Sequence, residues 1–312
     1  MSWLRRLLPF KGGILTKTNP KLFQEETDLH RLYLALEYHR RISKGDWTGE
    51  PDTPWVLGEE AAHLQLDELR NKVSNNIISQ MKLMSWTNDG AVPRGCVADV
   101  PDGDFNLTLE TSQVKGAGKG VWLEGNAGVG ELVALFPGLA YKAAEVKHIP
   151  GYPNFGVESD LMISRYDGCI LDSRAWTLFG RGMICEYNEQ IKQVLSNVSL
   201  LDRQWFSTES KRNKYAVGHM INHPPKGISP NVMVAPVEWE VPQHEDAITK
   251  MLPWRNFDDE DARIIRGIVL IAMRPLHAEE LFVNYRLNPG VLGGLPNWYH
   301  PVDDAEDRYR WW

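Results

Sequence analysis

The chain has 312 residues, 43% of them apolar, which is enough to bury the core of one large domain or two modest ones and is not the composition of a disordered chain. Acidic residues outnumber basic ones 41 to 34, a formal charge of −7, so the chain carries no global basic footprint for nucleic acid and would suit a basic partner. The three cysteines, Cys96, Cys169 and Cys185, are widely spaced with no C-x-x-C pair, which argues against a zinc cluster and a disulfide scaffold; no apolar run has the length of a membrane span.

Residues 1–22 form a basic arm. Arg5, Arg6, Lys11, Lys17 and Lys21 all precede the first acid, Glu25, with Trp3, Leu4, Leu7, Leu8 and Phe10 among them. That composition fits a mitochondrial transit segment, although Pro9 interrupts its helix; the other reading is a plain N-terminal arm of a nuclear or cytoplasmic protein. Residues 23–105 read as a helical region. Leu29, Leu32, Tyr33 and Leu36 recur at helical spacing, Gly45 to Pro54 reads as a loop, and a second helix is expected from about Glu59 to Met84. Gly90 to Asp104 is turn-rich and is the expected domain boundary.

After Leu107 the pattern changes to short strands with glycine turns. Val121 to Leu123 and Leu132 to Phe136 flank Gly125 to Gly130, and two further strands are expected around Asp167-Gly168. Ile184 to Leu201 reads as a helical insertion and Glu240 to Asp261 as an acidic surface insertion. Ile264 to Met273 is a β-prone run ended by Pro275. The fold class expected is α+β, with a β-rich domain over 106–288 and an aromatic tail over 289–312 that holds Trp298, Tyr299, Tyr309, Trp311 and Trp312.

Three segments stand out. Lys115 to Trp122 reads Lys-Gly-Ala-Gly-Lys-Gly-Val-Trp; a strand, not a helix, follows it, so it fits neither a dinucleotide fingerprint nor a phosphate loop, and by itself it reads as a hairpin turn. His219 to Pro224 places Asn222-His223 at the end of an apolar run, where polar side chains need hydrogen-bond partners. Glu279 to Tyr285 reads as an amphipathic strand.

In this order, the three segments resemble the SET domain, the fold of most protein-lysine methyltransferases. The resemblance covers about Lys115 to Asn288 and is nearest to the group typified by SET domain-containing protein nine. It implies a β-rich fold in which the two C-terminal segments form a pseudoknot, and S-adenosyl-L-methionine as cofactor, held by Gly118, Lys119, Gly120, Trp122, Asn222, His223 and Tyr285. Tyr285 is the implied catalytic residue, and the implied partner is a protein or peptide bearing a lysine. No metal, direct nucleic-acid contact or membrane contact is implied. This sequence departs from the family pattern at His219-Met220, at Pro224-Pro225, at Ala278 where the family has Gly, and at Asn284 where it has Asp. The Pro224-Pro225 and Asn284 departures keep open a second reading, a SET-fold protein of weak or no activity that binds a partner. The aromatic tail is expected either to wall the lysine channel or to pack on the N-terminal helices.

Overall fold

The computed structural model describes residues 20–46, 54–84, 105–153, 161–180, 213–242, 248–257, 263–290 and 294–311. The expected helical insertion, nearly all of the basic arm, and the turn-rich stretch from Gly90 to Asp104 lie outside them.

The N-terminal region is helical, but in three pieces: α1 (Pro20–Ser43), α2 (Pro54–Ala62) and α3 (Leu66–Leu83). The single second helix expected from about Glu59 therefore breaks between Ala62 and Leu66. A ring nitrogen of His30 on α1 meets the carbonyl of Ala61 at 3.1 Å and satisfies the end of α2, while Gln65 turns to extended backbone and starts α3. Leu69, Val73, Ile77 and Met81 form the buried stripe of α3 at spacings of four.

Among the described residues, ten strands follow in three small sheets. The first has the order β1 (Phe105–Thr111), β2 (Lys119–Ala127), β10 (Leu276–Glu280). The second has the order β3 (Leu132–Phe136), β9 (Ile264–Ala272), β7 (Val232–Glu240). The third has the order β5 (Met162–Ser164), β6 (Ile170–Asp172), β4 (Gly138–Tyr141), β8 (Trp254–Asn256). Pairing is antiparallel apart from β4 with β8. A short helix, α4 (Arg174–Gly180), follows β6, and a last helix, α5 (Asp304–Trp311), lies in the C-terminal tail. The chain is thus α+β, with helices gathered at the N-terminus and small sheets beyond.

One apolar cluster runs through both regions, joining Leu32, Leu36, Leu69 and Ile77 of the helices to Leu123, Leu135, Val269 and Leu281 of the sheets. Helices and sheets therefore share a core across the boundary expected between them. Polar ties reinforce it: the Gln80 side chain donates to Gly130 O (2.8 Å) and accepts from Leu132 N (2.9 Å).

The stretch from Glu240 to Asp261 is not simply a surface insertion. Within it Trp254 is buried, lies against Gly267, where a Cβ would stand 2.3 Å from the indole, and donates from Nε1 to Phe136 O at 2.7 Å. Trp254, inside the stretch expected to be a surface insertion, is a core residue that fits against a glycine on β9.

Candidate functional site

The glycine segment is a hairpin loop between β1 and β2, closed by Ser112 N donating to Gly118 O at 2.9 Å. Gly116 and Gly118 have positive φ, 87° and 72°, with open space where a Cβ would be. Gly120 is different. A Cβ there would stand 2.0 Å from Glu280 Oε1 and 3.0 Å from Asn222 Nδ2, so only glycine lets the other two segments come this close.

That closeness is the central geometric finding. After β10, Leu281 N donates to Val121 O (2.8 Å). Phe282 then pairs with Asn222, and Val283 with Val232, as isolated parallel bridges. Val283 N donates to Asn222 O (3.0 Å), while Asn231 N and Val232 N both donate to Phe282 O (3.1 Å each). The Asn231 side chain completes the crossing, accepting from Phe282 N (2.6 Å) and donating to Glu280 O (2.8 Å). Segment 281–283 is thus flanked by residue 222 and by residues 231–232.

Beneath the glycine loop lies Glu280, 1% exposed. Its carboxyl accepts from Ser112 Oγ (2.6 Å), Gln113 N (2.7 Å) and Asn222 Nδ2 (3.3 Å). Asn222 Nδ2 also reaches Ser112 Oγ and Lys119 O, both at 3.0 Å. One network therefore links all three segments singled out from the sequence. Glu280 and Ser112 were not among the expected site residues. The available signal was an acid directly preceding the apolar run Leu281-Phe282-Val283.

His223 is buried and held through both ring nitrogens. Tyr285 N donates to Nδ1 (3.3 Å), which puts the proton on Nε2, and Nε2 donates to His300 O (2.9 Å). Burial, the largest influence, pushes its pKa below the usual histidine value. The Tyr285 hydroxyl donates to Ile221 O at 3.1 Å. Trp298 meets the Tyr285 ring edge-on at 6.2 Å between centroids, and Tyr299 lies 4.5 Å from the His223 ring. Trp298 is half exposed, whereas Tyr299 is buried.

Of the two roles expected for the tail, packing on the N-terminal helices is the one seen here. Its first aromatics wall Tyr285 and His223, and α5 packs on α1, where Arg31 forks onto Glu306 with two bonds of 3.0 Å.

Of the expected cofactor residues, Gly118 is exposed on the loop, Lys119 is exposed at the start of β2 and Gly120 is buried. Trp122 is half-buried on β2, opposite Glu280 across the β2–β10 pair, with Nε1 donating to Thr111 O (3.3 Å). Asn222, His223 and Tyr285 stand together at the crossing. Among the described residues no cluster of potential metal ligands is found, and no helix is long and apolar enough to cross a membrane.

No model of a known protein family matches the chain, and no curated protein matches it significantly.

Two consequences are measurable. Ala278 sits at a bulge in β10 with φ 43°, a left-handed conformation that costs alanine about 1–2 kcal/mol, partly offset by the greater chain entropy of glycine when unfolded. Ala278→Gly should therefore raise stability by about 0.5–1 kcal/mol in denaturant titration, and a lower midpoint would contradict the assigned strain. For His223 the sign follows from its depressed folded pKa: it contributes stability that is present above the unfolded value near 6.5 and is lost as pH falls through the folded value. Protonation would also set a donor against Tyr285 N–H. Unfolding titrations should show stability dropping below about pH 6.5, with that slope reduced in His223→Gln; equal slopes in both proteins would exclude His223 as its source.

Proposed function

We propose that the chain is an S-adenosyl-L-methionine-dependent protein-lysine N-methyltransferase built on a SET-type fold. The observation that carries this reading is the crossing of segment 281–283 beside Asn222 under the glycine loop. Three sequence segments that resemble that family meet in one hydrogen-bonded network, which spans 168 positions from Ser112 to Glu280.

The loop around Gly116 and Gly118 leaves open space beside exposed backbone, which suits a close-lying amino-acid moiety. The hydrogen bonds of Asn222 Nδ2 and of both His223 ring nitrogens go instead to the protein. In this reading the main chain around Gly118, Lys119, Asn222 and His223 would hold the cofactor beside the carbonyls of Gly118, Lys119 and Asn222 that already accept protein hydrogen bonds, and the two side chains would shape that backbone. When bound, S-adenosylmethionine supplies a sulfonium-activated methyl group for a neutral amine.

The protein's part is to desolvate, orient and receive that amine. A lysine has a pKa near 10.4 in water and is charged, so it must lose a proton before it can react. An aromatic, apolar entrance favours the neutral form. Trp298 and Tyr285 offer such faces, and aromatic faces also accept an alkylammonium on its way in. Because the Tyr285 hydroxyl gives its hydrogen to Ile221 O, its oxygen meets an incoming amine as an acceptor. That role turns the amine lone pair toward the methyl group and leaves the tyrosine protonated. Alignment of this kind supplies much of the acceleration in such a transfer.

The side-chain commitments of Asn222 and His223 favour a second reading, a SET-type fold kept for binding a partner without catalysis. Calorimetry with S-adenosylmethionine and transfer of labelled methyl to a lysine-peptide pool separate the two. The methyltransferase reading expects binding, and a fall in turnover of at least tenfold in Tyr285→Phe, with cofactor affinity and melting temperature nearly unchanged, because the missing bond matters most in the transition state. Asn222→Ala should lose stability as well as affinity, since its amide ties the network together. Equal turnover in wild type and Tyr285→Phe would remove the catalytic role, and absence of cofactor binding would leave the partner-binding reading.

A further inference from the structure

The residue after Tyr285 is Arg286, whose φ of 51° is left-handed, a region that non-glycine residues seldom occupy. Only its backbone N–H is held locally, by Asn284 Oδ1 at 3.0 Å. Its side chain is held from far away. One guanidinium nitrogen donates to Asp28 Oδ1 (2.8 Å) and Glu306 Oε1 (3.2 Å); the other donates to Asp28 Oδ2 and approaches the Tyr166 hydroxyl at 3.4 Å. Tyr166 in turn donates to Asp28. Asp28 lies on α1, 258 positions upstream, and is itself buried. The Gln24 amide, one helical turn before it, donates to both Asp28 (3.2 Å) and Glu306 (2.8 Å).

Burial opposes the Arg286 charge, but Asp28, then Tyr166 and Glu306, more than compensate and hold its pKa above the ordinary arginine value. Glu306 is likewise pressed upward by burial and pulled down by Arg31 and Arg286, to about 2. A bidentate arginine–carboxylate pair fixes orientation as well as charge. This one fixes the backbone immediately beyond the Tyr285 ring. On its other side the same tyrosine is held by His223 Nδ1 and Ile221 O.

We propose that Asp28, acting through Arg286, is a positioning residue for the Tyr285 hydroxyl, so that the N-terminal helix α1 belongs to the methyl-transfer apparatus as well as to the core. The proposal rests on the methyltransferase reading. Its geometric half, that the Asp28–Arg286 pair sets where Tyr285 lies, is open to test without activity. Loss of the pair would let the left-handed turn relax and move the hydroxyl off Ile221 O, leaving the glycine loop and its network in place.

The test uses the full chain labelled with 3-fluorotyrosine, the Tyr285 resonance being identified by its loss in Tyr285→Phe. Three variants are compared. Asp28→Asn breaks the bidentate pair. Tyr166→Phe removes only one hydroxyl from the cluster and is a milder change should Asp28→Asn fold poorly. Gln80→Ala is the structural control, because it loosens helices from sheet at β3 and touches nothing near Tyr285. The expected result is a shifted Tyr285 fluorine signal in Asp28→Asn and a smaller shift in Tyr166→Phe. Turnover on the peptide pool at saturating S-adenosylmethionine should fall about tenfold and a few-fold respectively, with cofactor Kd within about twofold. Gln80→Ala should lower Tm yet leave signal and turnover unchanged. An unmoved Tyr285 signal in Asp28→Asn, or in Tyr166→Phe where the first does not fold, overturns the proposal whether or not methyl transfer is seen. A fall in turnover in Gln80→Ala matching that in Asp28→Asn overturns it too, by reducing Asp28 to general support. Wild-type protein without transfer activity, but with the fluorine shift present, counts against the methyltransferase reading and leaves the positional coupling standing.

Discussion

The arrangement depends on a buried carboxyl group. Glu280 is almost fully removed from water and draws its hydrogen bonds from Ser112 Oγ, the backbone of Gln113 and the amide of Asn222. A buried carboxyl with too few donors is costly, so these groups have to come together, Ser112 and Gln113 from the turn after β1 and Asn222 from a distant segment. Gly120 makes the meeting sterically feasible, because any Cβ at that position would displace Glu280. The crossing of 281–283 beside 222 and 231–232 follows as the backbone route that brings them into register.

A second, partly buried electrostatic cluster lies on the far side of Tyr285. Asp28, Arg286, Arg31 and Glu306 join α1, the segment after Tyr285 and α5. Breaking one partner of such a cluster is much more damaging than its net contribution to stability suggests, since it strands a charge in a poor solvent. The two clusters have different tasks. The Glu280 network shapes the loop and the backbone at Asn222, whereas the Asp28 cluster anchors the chain where the tyrosine leaves the crossing.

Much of this was legible in the sequence, and the rest was hidden for physical reasons. Strand positions at 121–123, 132–136, 162–172 and 264–272 could be read because short apolar runs sat between glycine turns. The meeting of the glycine, Asn-His and Glu-to-Tyr segments was expected from their resemblance to a family, since spacing alone carries no information about contacts between distant residues. Local signals failed where tertiary contacts decide. Nothing around Ala62 announces a helix end, because the group that satisfies it is His30 on another helix. The stretch around Trp254 read as a surface insertion because the partner of that indole, Gly267, lies on a different strand. The Asp28–Arg286 pair spans 258 positions, and an isolated acid on a helix reads as an ordinary solvated charge.

The central claim is that the crossing under the glycine loop builds a site for S-adenosylmethionine. Hydrogen exchange followed by mass spectrometry, with and without saturating S-adenosylmethionine, tests it most directly. The account predicts added protection in peptides covering 116–121, 220–224 and 281–286, and none in those covering β5 and β6. Unchanged exchange in all three segments, or protection confined to other parts of the chain, would contradict it.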